Sequence, residues 1–550
     1  MKLKGAQILL ECLKEQGVNT LFGYPGGAVI PLYDALYDEM DNFNHFKTAH
    51  EQGALHAADG YARTTGKVGV CFATSGPGAT NTITGIATAY MDSVPLVVIT
   101  GQVPSGLLGK DSFQEIDITG VTLPITKHNY LIQDINELAE TVRKAFVIAK
   151  SGRPGPVLID VPKDIFLKET EYFKKDIVAP KKEQKLNLDL LKRVADKINK
   201  ARKPVIYAGG GIITSNANKE LYNFSTKADI PVANTLMGLG CFPRDNKLSL
   251  GLVGMHGARE TNLAVTESDL IIAIGARFSD RVIGKADKFA PRANIIHIDI
   301  DSTEIDKNLG TDISVIGDVK TILIKLVEYL DKNKRNEWLK KISNWKLEYD
   351  EEISFSPCEI LKTLNNYLGE DTLVSTDVGQ HQMWVAQNWE FNKPRSFISS
   401  GGLGTMGFGL GASIGAQIGN PNNKSLLITG DGSFRMNLNE LSTVKSYNLP
   451  VIIVLFNNRT LGMVRQWQRM FSNERYSETD LGNEVDFVKL VNAYGINGYK
   501  VNNLESFKKI LADKTNDNEP IFIECIIDKD ESVYPIVPPG KPINKLIINE

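Results

Sequence analysis

Ser425-Leu-Leu-Ile-Thr-Gly-Asp-Gly432 and, further on, Val451-Ile-Ile-Val-Leu-Phe-Asn-Asn458 are the stretches whose reading decides the fold of this chain. Each begins with a short, unbroken apolar run, as neighbouring buried parallel strands do, and the helical pattern from Leu438 to Tyr447 supplies the crossover between them. Parallel neighbours end at one sheet edge, so Asp431 and Asn458 are expected to converge there. Hard oxygen ligands suit Mg2+ or Ca2+. One or two of them, completed by phosphate oxygens and water, describe a cation that clamps a diphosphate. Gly430 and Gly432 let the backbone come close to that phosphate. Gly-Asp-Gly alone is a common turn. The Asn-Asn pair at this spacing, with a strand ahead of each, is what turns the reading towards a metal.

The 550 residues exceed a single core and correspond to roughly three domains. With 62 basic against 65 acidic side chains the net charge is −3, which carries no signature of nucleic-acid binding. Cys12, Cys71, Cys241, Cys358 and Cys525 are scattered and form no Cys-x-x-Cys, so neither a disulfide framework nor a zinc site is indicated, and a reducing compartment fits. The start of the chain resembles a leader superficially. Glu11, Lys14 and Glu15 interrupt it, and Ala6, Leu9, Leu10 and Leu13 share one helical face, so a folded first helix is expected. No apolar run approaches the roughly 20 residues that span a bilayer. A cytoplasmic protein with neither membrane nor nucleic acid as partner is the expectation.

Short apolar runs alternate with helical segments in the first third (Val68–Phe72, Leu96–Thr100, Val157–Asp160), giving an open α/β unit over residues 1–166. Residues 167–186 turn Lys- and Glu-rich and read as a linker. A second α/β unit, 187–330, has strands at Pro204–Ala208, Leu270–Ile274 and Asn294–Asp299; a charged linker, 331–356, follows. The third unit, 357–550, carries Thr372–Thr376 and the opening motif, and ends in a proline-dense arm, Tyr534-Pro-Ile-Val-Pro-Pro-Gly-Lys-Pro542, expected to be extended and to lie across a cleft. Units one and three look alike, which suggests a duplication.

Glu51 lies near the start of a helical stretch whose Ala54, Leu55, Ala58 and Tyr61 form an apolar stripe. Alone it is a first-turn acid favoured by the helix dipole. It sits between two glycine-rich turns, Gly23-Tyr-Pro-Gly-Gly-Ala28 and Thr74-Ser-Gly-Pro-Gly-Ala79, which read as strand-end loops bordering one pocket.

Phe22–Pro31, Gly101-Gln-Val-Pro104, Asp111-Ser-Phe-Gln-Glu115, Ser151–Asp164, Ser400–Gly409 and Leu461-Gly-Met-Val-Arg-Gln-Trp-Gln468 occur in the order of one family. Over essentially its whole length the chain resembles the catalytic large subunit of acetohydroxyacid (acetolactate) synthase, a thiamine-diphosphate enzyme. The resemblance implies three open, mainly parallel-sheet α/β domains: pyrimidine-binding, central FAD-binding and diphosphate-binding. It implies thiamine diphosphate, Mg2+ and FAD as cofactors and pyruvate and 2-oxobutanoate as substrates. It also implies a homodimer with shared active sites as the minimum working unit, with a tetramer as the larger alternative, and a separate regulatory small subunit.

Carried over residue by residue, the resemblance gives Glu51 the role of assisting proton loss from the coenzyme. Tyr24, Pro25, Gly26 and Gly27, then Val378, Gly379, Gln380 and His381, and Gly430, Asp431, Gly432, Ser433, Asn458, Thr460, Gly462 and Met463 are implied to line the coenzyme. Met406 is implied as the apolar wedge between its rings, and Asp431, Asn458 and the Thr460 carbonyl as metal ligands. Gln114, Lys163, Arg281, Met463 and Trp467 are implied near the substrates, with Arg281 suited to the carboxylate of the second 2-oxo acid and Trp467 to its extra methyl. Arg153, Gly209, Gly210, Gly211, Thr235, Leu236, Met237, His256, Gly275, Arg277, Asp280, Arg281, Val282, Asp299 and Asp318 are implied as FAD contacts. Ser279 stands where the family usually has Asp, while the Arg-Val-Ile-Gly that begins at Arg281 resembles the biosynthetic, FAD-keeping branch. Three rivals stay open: a pyruvate oxidase, a fermentative flavin-free acetolactate synthase and a non-catalytic scaffold on the same fold. Read from its residues alone, Asp301 with Glu304 forms a helix capping box.

Overall fold

In the computed structural model, which describes residues 1–176, 186–346, 355–482, 484–515 and 518–549, three six-stranded sheets dominate, and every neighbouring pair of strands within them is parallel. The first sheet contains β1 (Thr20–Gly23), β2 (Asn44–Lys47), β3 (Gly69–Ala73), β4 (Leu96–Gln102), β5 (His128–Leu131) and β6 (Val157–Pro162), in the order 2-1-3-4-6-5. The middle sheet contains β7 (Pro204–Ala208), β8 (Val232–Asn234), β9 (Ser249–Leu252), β10 (Leu270–Ile274), β11 (Asn294–Asp299) and β12 (Ile313–Ile316), in the order 9-8-7-10-11-12. This is the doubly wound nucleotide-binding order, whose direction reverses between β7 and β10. The third sheet contains β13 (Leu373–Thr376), β14 (Phe397–Ile398), β15 (Ser425–Gly430), β16 (Val451–Asn457), β17 (Asn497–Val501) and β18 (Ile521–Ile526), in the order 14-13-15-16-18-17. Counted from its own first strand, that is the order of the first sheet.

β15 and β16 pair from Ser425–Val451 to Gly430–Phe456, so the two stretches that opened the sequence reading lie side by side. Both are buried along nearly their whole length, the burial expected of strands covered on two faces by helices.

Four helices position the site: α1 (Glu51–Thr65), α2 (Gln380–Asn388), α3 (Phe408–Gly419) and α4 (Gly462–Phe471). The stripe expected on α1 proves too narrow. Twelve of its residues, from Glu51 to Thr64, are buried, because α3 packs along the face left polar by the sequence pattern. Small residues permit this closeness: a Cβ on Gly60 would overlap the Ala412 carbonyl, and one on Gly415 would overlap that of Ala57. α1 joins β2 to β3 and α3 joins β14 to β15, so helices at equivalent places in two like sheets hold the first and third units together.

Both expected linkers contain ordered structure. Glu169–Glu171 pairs antiparallel with Lys2–Lys4, and Tyr172 is buried in the first core, while residues 177–185 of the 167–186 stretch lie outside the described residues. In the 331–356 stretch, helix Asn336–Ser343 buries Trp338 and Ile342 against the middle unit; residues 347–354 are not among those described. Dense surface charge masks the few apolar anchors of both segments. The carboxyl-terminal arm is tied to the third unit where Val533 exchanges two 3.0 Å hydrogen bonds with Gln466. It reaches the middle unit where the Val537 N–H donates to the Met255 carbonyl and Asn262 to the Ile543 carbonyl. Among the described residues no helix is long and apolar enough to cross a membrane.

Candidate active site

Nearly every residue singled out from the sequence falls at the carboxyl end of a parallel strand or on the helix that follows it, the edge where backbone N–H groups and helix N-termini favour anions. In the third unit the residues after β13, β15 and β16 touch one another. Asn458 Nδ2 donates to Gln380 Oε1 (3.2 Å), and the Ser433 hydroxyl donates to the Val378 carbonyl (2.9 Å). A Cβ on Gly430 would lie 2.9 Å from the His381 ring, and one on Gly462 would overlap Gln380 Oε1 and stand 2.6 Å from Asn458 Nδ2. Met406, on the loop leading into α3, points its terminal methyl towards Gly432. Thr460 turns its hydroxyl away, to the Thr479 carbonyl (2.6 Å), and its N–H towards Asn458 Oδ1 (3.3 Å).

These residues fit a cation with a diphosphate. Asp431 is buried, and its Oδ2 has no hydrogen-bond partner among the described residues; burial pushes its carboxyl up to about 7 against the pull of Arg435. His381 Nε2 is likewise buried and unpartnered, and burial pushes that imidazole down to about 3, so the ring is neutral. Polar atoms left open in this way are costly unless a ligand completes them. The acid, amide and carbonyl oxygens of Asp431, Asn458 and Thr460 are the donor types Mg2+ accepts.

A second group gathers in the first unit. Glu51 opens α1, and one of its oxygens accepts from Asn81 Nδ2 at 3.0 Å. Thr74 joins the two glycine-rich turns, its hydroxyl accepting from the Ala28 N–H (3.2 Å) beside Gly26. Gln114 packs on Gly76, holds a positive φ of 59° and lies next to the almost fully exposed Phe113. Tyr24, Pro25 and Gly27 follow β1, and the half-buried Lys163 follows β6. No hydrogen bond or ion pair among the described residues joins Glu51 to Asp431 or Asn458.

In the middle unit the candidates line the ends of all its strands: Gly209, Gly210 and Gly211 after β7, Thr235, Leu236 and Met237 after β8, His256 after β9, Gly275, Arg277, Asp280, Arg281 and Val282 after β10, Asp299 closing β11, and Asp318 after β12. The loops after β7 and β10 meet where the strand order reverses, with Gly211 N–H donating to the Gly275 carbonyl (2.9 Å). A nucleotide fits such a crevice. Several residues implied as FAD contacts already have other partners, Asp299 among them through the Asp301 N–H (2.9 Å). Asp318 caps the following helix through Thr321, and Arg153 binds Ser93 Oγ (2.8 Å) and Glu304 (2.9 Å) between the first and middle units. The expected capping box is incomplete: Asp301 accepts from the Thr303 N–H, while Glu304 turns to Arg153 and Lys307. Met463 and Trp467, four residues apart on α4, project on one side of that helix, and the Trp467 ring faces Arg281.

Three contributors escaped the sequence reading. Asn81 orients Glu51, Asp377 accepts from the Gly409 N–H and Thr429 hydroxyl beneath the third-unit loops, and Glu440 bonds the backbone just before α1. Glu440 is the one acid between Ser433 and Pro450, but it stands among Asn439, Ser442, Thr443 and Lys445, and that polar setting gives no signal.

Three family models match the chain in succession: the N-terminal TPP binding domain of thiamine pyrophosphate enzymes over residues 3–121, their central domain over 191–326 and their C-terminal TPP binding domain over 377–525. Fold and site thus define the class, a thiamine pyrophosphate enzyme. Among curated relatives, the probable acetolactate synthase large subunit of Methanocaldococcus jannaschii is 47% identical over 566 residues, covering 99% of this chain and 95% of that one. The acetolactate synthase large subunit of Parasynechococcus marenigrum is 47% identical over 556 residues, covering 98% and 90%, and that of Buchnera aphidicola subsp. Schizaphis graminum 45% over 564, covering 99% and 98%. The chain belongs to the family of acetolactate synthase large subunits.

Proposed function

We propose that the protein decarboxylates pyruvate and joins the remaining two-carbon unit to a second 2-oxo acid, at the first common step towards branched-chain amino acids. Pyruvate as acceptor gives 2-acetolactate; 2-oxobutanoate gives 2-aceto-2-hydroxybutyrate. In a chain of this family, the observation that carries the reading is the cradle at the ends of β15 and β16, where a buried acid with an open oxygen stands beside an asparagine and closely approached glycines.

Thiamine diphosphate, when bound, supplies an electron sink for the pair released as carbon dioxide leaves a 2-oxo acid. The residues of this chain do the rest. Asp431, Asn458 and the Thr460 carbonyl would hold Mg2+, and the loops around Gly379, Gln380 and His381 would hold the diphosphate. Glu51, steadied by Asn81, would hold and move the proton at the aminopyrimidine ring. Met406 would offer an apolar prop to the rings. Arg281 would take the acceptor carboxylate through two hydrogen bonds, with Trp467 beside its alkyl group and Gln114 and Lys163 as further polar contacts.

The glycine-lined crevice of the middle sheet would hold FAD. The reading includes a homodimer in which one subunit's Glu51 completes the other's site, in keeping with the lack of any hydrogen bond or ion pair, among the described residues, between Glu51 and Asp431 or Asn458. A small regulatory subunit accompanies it, as the relatives' description as large subunits suggests. The test is to supply the purified protein with thiamine diphosphate, Mg2+ and pyruvate and measure acetolactate. Absence of acetolactate with all three present would refute the activity. Flavin reduction during pyruvate turnover would instead identify an oxidase, and a colourless, active preparation would remove FAD.

A further inference from the structure

Glu440 lies in the crossover between β15, which leads to Asp431, and β16, which leads to Asn458, yet its carboxylate is aimed at the first unit. It is fully buried. Its Oε2 accepts from the Ala49 N–H (3.1 Å) and its Oε1 from the His50 N–H (3.0 Å), the two amides that precede Glu51. The Thr443 hydroxyl holds Oε2 from behind at 2.6 Å. On the other side the carboxylate rests on Gly53, where a Cβ would overlap it.

Capping the helix does not require this arrangement, because the His50 side chain already accepts from the Gln52 N–H as the N-cap of α1. A second acid so close to Glu51 adds repulsion that a neutral amide would avoid. Burial pushes the Glu440 carboxyl up, and the Glu51 charge pushes the same way, while Thr443 and the two backbone amides pull it down. The titratable groups facing it across the contact are Glu51 and His50; its own segment presents Asn439 and Thr443.

We propose that Glu440 is a positioning residue for Glu51: from the segment linking the two cation-binding strand ends, it clamps the backbone that aims Glu51 at the coenzyme. The inference rests on the acid/base role given to Glu51 above. It adds a mechanical tie within one chain between the crossover flanked by the cation residues and the carboxyl that handles the proton.

Two substitutions separate the clamp from the charge. Glu440→Gln removes the charge and can satisfy only one of the two amides. In the coenzyme-free protein, hydrogen exchange at Ala49 and His50 is expected to speed up about tenfold or more. In the loaded enzyme, kcat for acetolactate is expected to fall about tenfold with the pyruvate KM little changed. Glu440→Asp keeps the charge but is one methylene short, so exchange at the same two amides quickens and kcat falls with it, again with little change in KM. If either variant fails to fold, Thr443→Val, which loosens the carboxylate without removing it, should give a smaller rise in exchange at the same two amides. Unchanged exchange in the variants overturns the clamp, as does faster exchange at Ala49 and His50 with kcat unchanged. A parent protein that makes no acetolactate would instead refute the functional reading, and the exchange measurement would still judge the clamp.

Discussion

The guanidinium carbon of Arg281 stands 5.9 Å from the centroid of the Trp467 ring, so a loop of the middle unit and helix α4 of the third meet through a cation and an aromatic face. Such a contact contributes about 0.5–1 kcal/mol at an exposed site. Arg281 Nη1 also lies 3.9 Å from the Met255 sulfur and its Nε 3.6 Å from an Asp280 carboxylate oxygen, so an aromatic face, a thioether and an acid together surround the guanidinium.

Trp467→Leu removes the aromatic face beside Arg281 and, on the proposed function, the ring next to the acceptor's alkyl group. The preference for 2-oxobutanoate over pyruvate should fall roughly fivefold or more, since one methyl contact is worth about 1–3 kcal/mol. Product ratios from a mixed-substrate assay measure this directly, and an unaltered ratio would take Trp467 out of that role.

Glu51→Gln keeps the size of the side chain and removes its proton chemistry. Acetolactate formation should drop about a hundredfold or more, the usual scale for a general acid or base. Asn81→Ala, which only frees the Glu51 carboxylate, should cost about tenfold, in line with one lost hydrogen bond to a charged group. Equal rates for parent and Glu51→Gln would overturn the acid/base assignment.

Removing Mg2+ with a chelator should abolish acetolactate formation, and adding the metal back should restore it. Asp431→Ala should not be rescued at any practical Mg2+ concentration, because it deletes the buried acid of the cradle. Thermal-shift titration with thiamine diphosphate at fixed Mg2+ would report the same loss without turnover; a full stabilising shift in Asp431→Ala would exclude it as a ligand.

Asp160, within the wholly buried β6, is pushed up to about 7 by burial, against hydrogen bonds from Thr100 (2.7 Å) and Gln102 (2.9 Å). An unfolded aspartate ionises near 3.9. Between about pH 4 and pH 7 the folded state therefore keeps a proton that the unfolded state has lost, so stability from this group falls as pH rises and levels off above about 7. The full difference amounts to about 4 kcal/mol at most. Asp160→Asn should lose less melting temperature between pH 5 and pH 8 than the parent does. Parallel pH dependence in the two proteins would contradict the raised value.

Gly415→Ala drives a methyl into the Ala57 carbonyl at the α1–α3 crossing. Overpacking of this kind costs about 1–3 kcal/mol. Calorimetry should show a lower melting temperature, and proteolysis should cut between the first and third units more readily; unchanged values would mean that the crossing opens at no cost.

Much of this was legible from the chain alone, because parallel strands buried on both faces spell themselves as apolar runs and because their ends must share an edge. Ser425–Thr429 and Val451–Phe456 became neighbouring strands for that reason, with Asp431 and Asn458 brought towards each other. What stayed hidden depends on contacts between units. Nothing local in Asn336–Ser343 announces that Trp338 is buried, and the polar-looking side of α1 is covered only because α3, more than 350 residues further on, is small enough to reach it. Asn81 and Glu440 were missed likewise: each acts on a partner distant in sequence, and a single asparagine or glutamate carries no spacing signal.

The matching strand orders of the first and third sheets place α1 and α3 at one address in two editions of the same scaffold. Glu51 opens the helix in the first edition; Met406 and Gly407 stand at the corresponding threshold in the other. One location thus carries an ionisable tip in one unit and an apolar thioether in the other, and each can be redesigned using its counterpart as the template for what the backbone there tolerates.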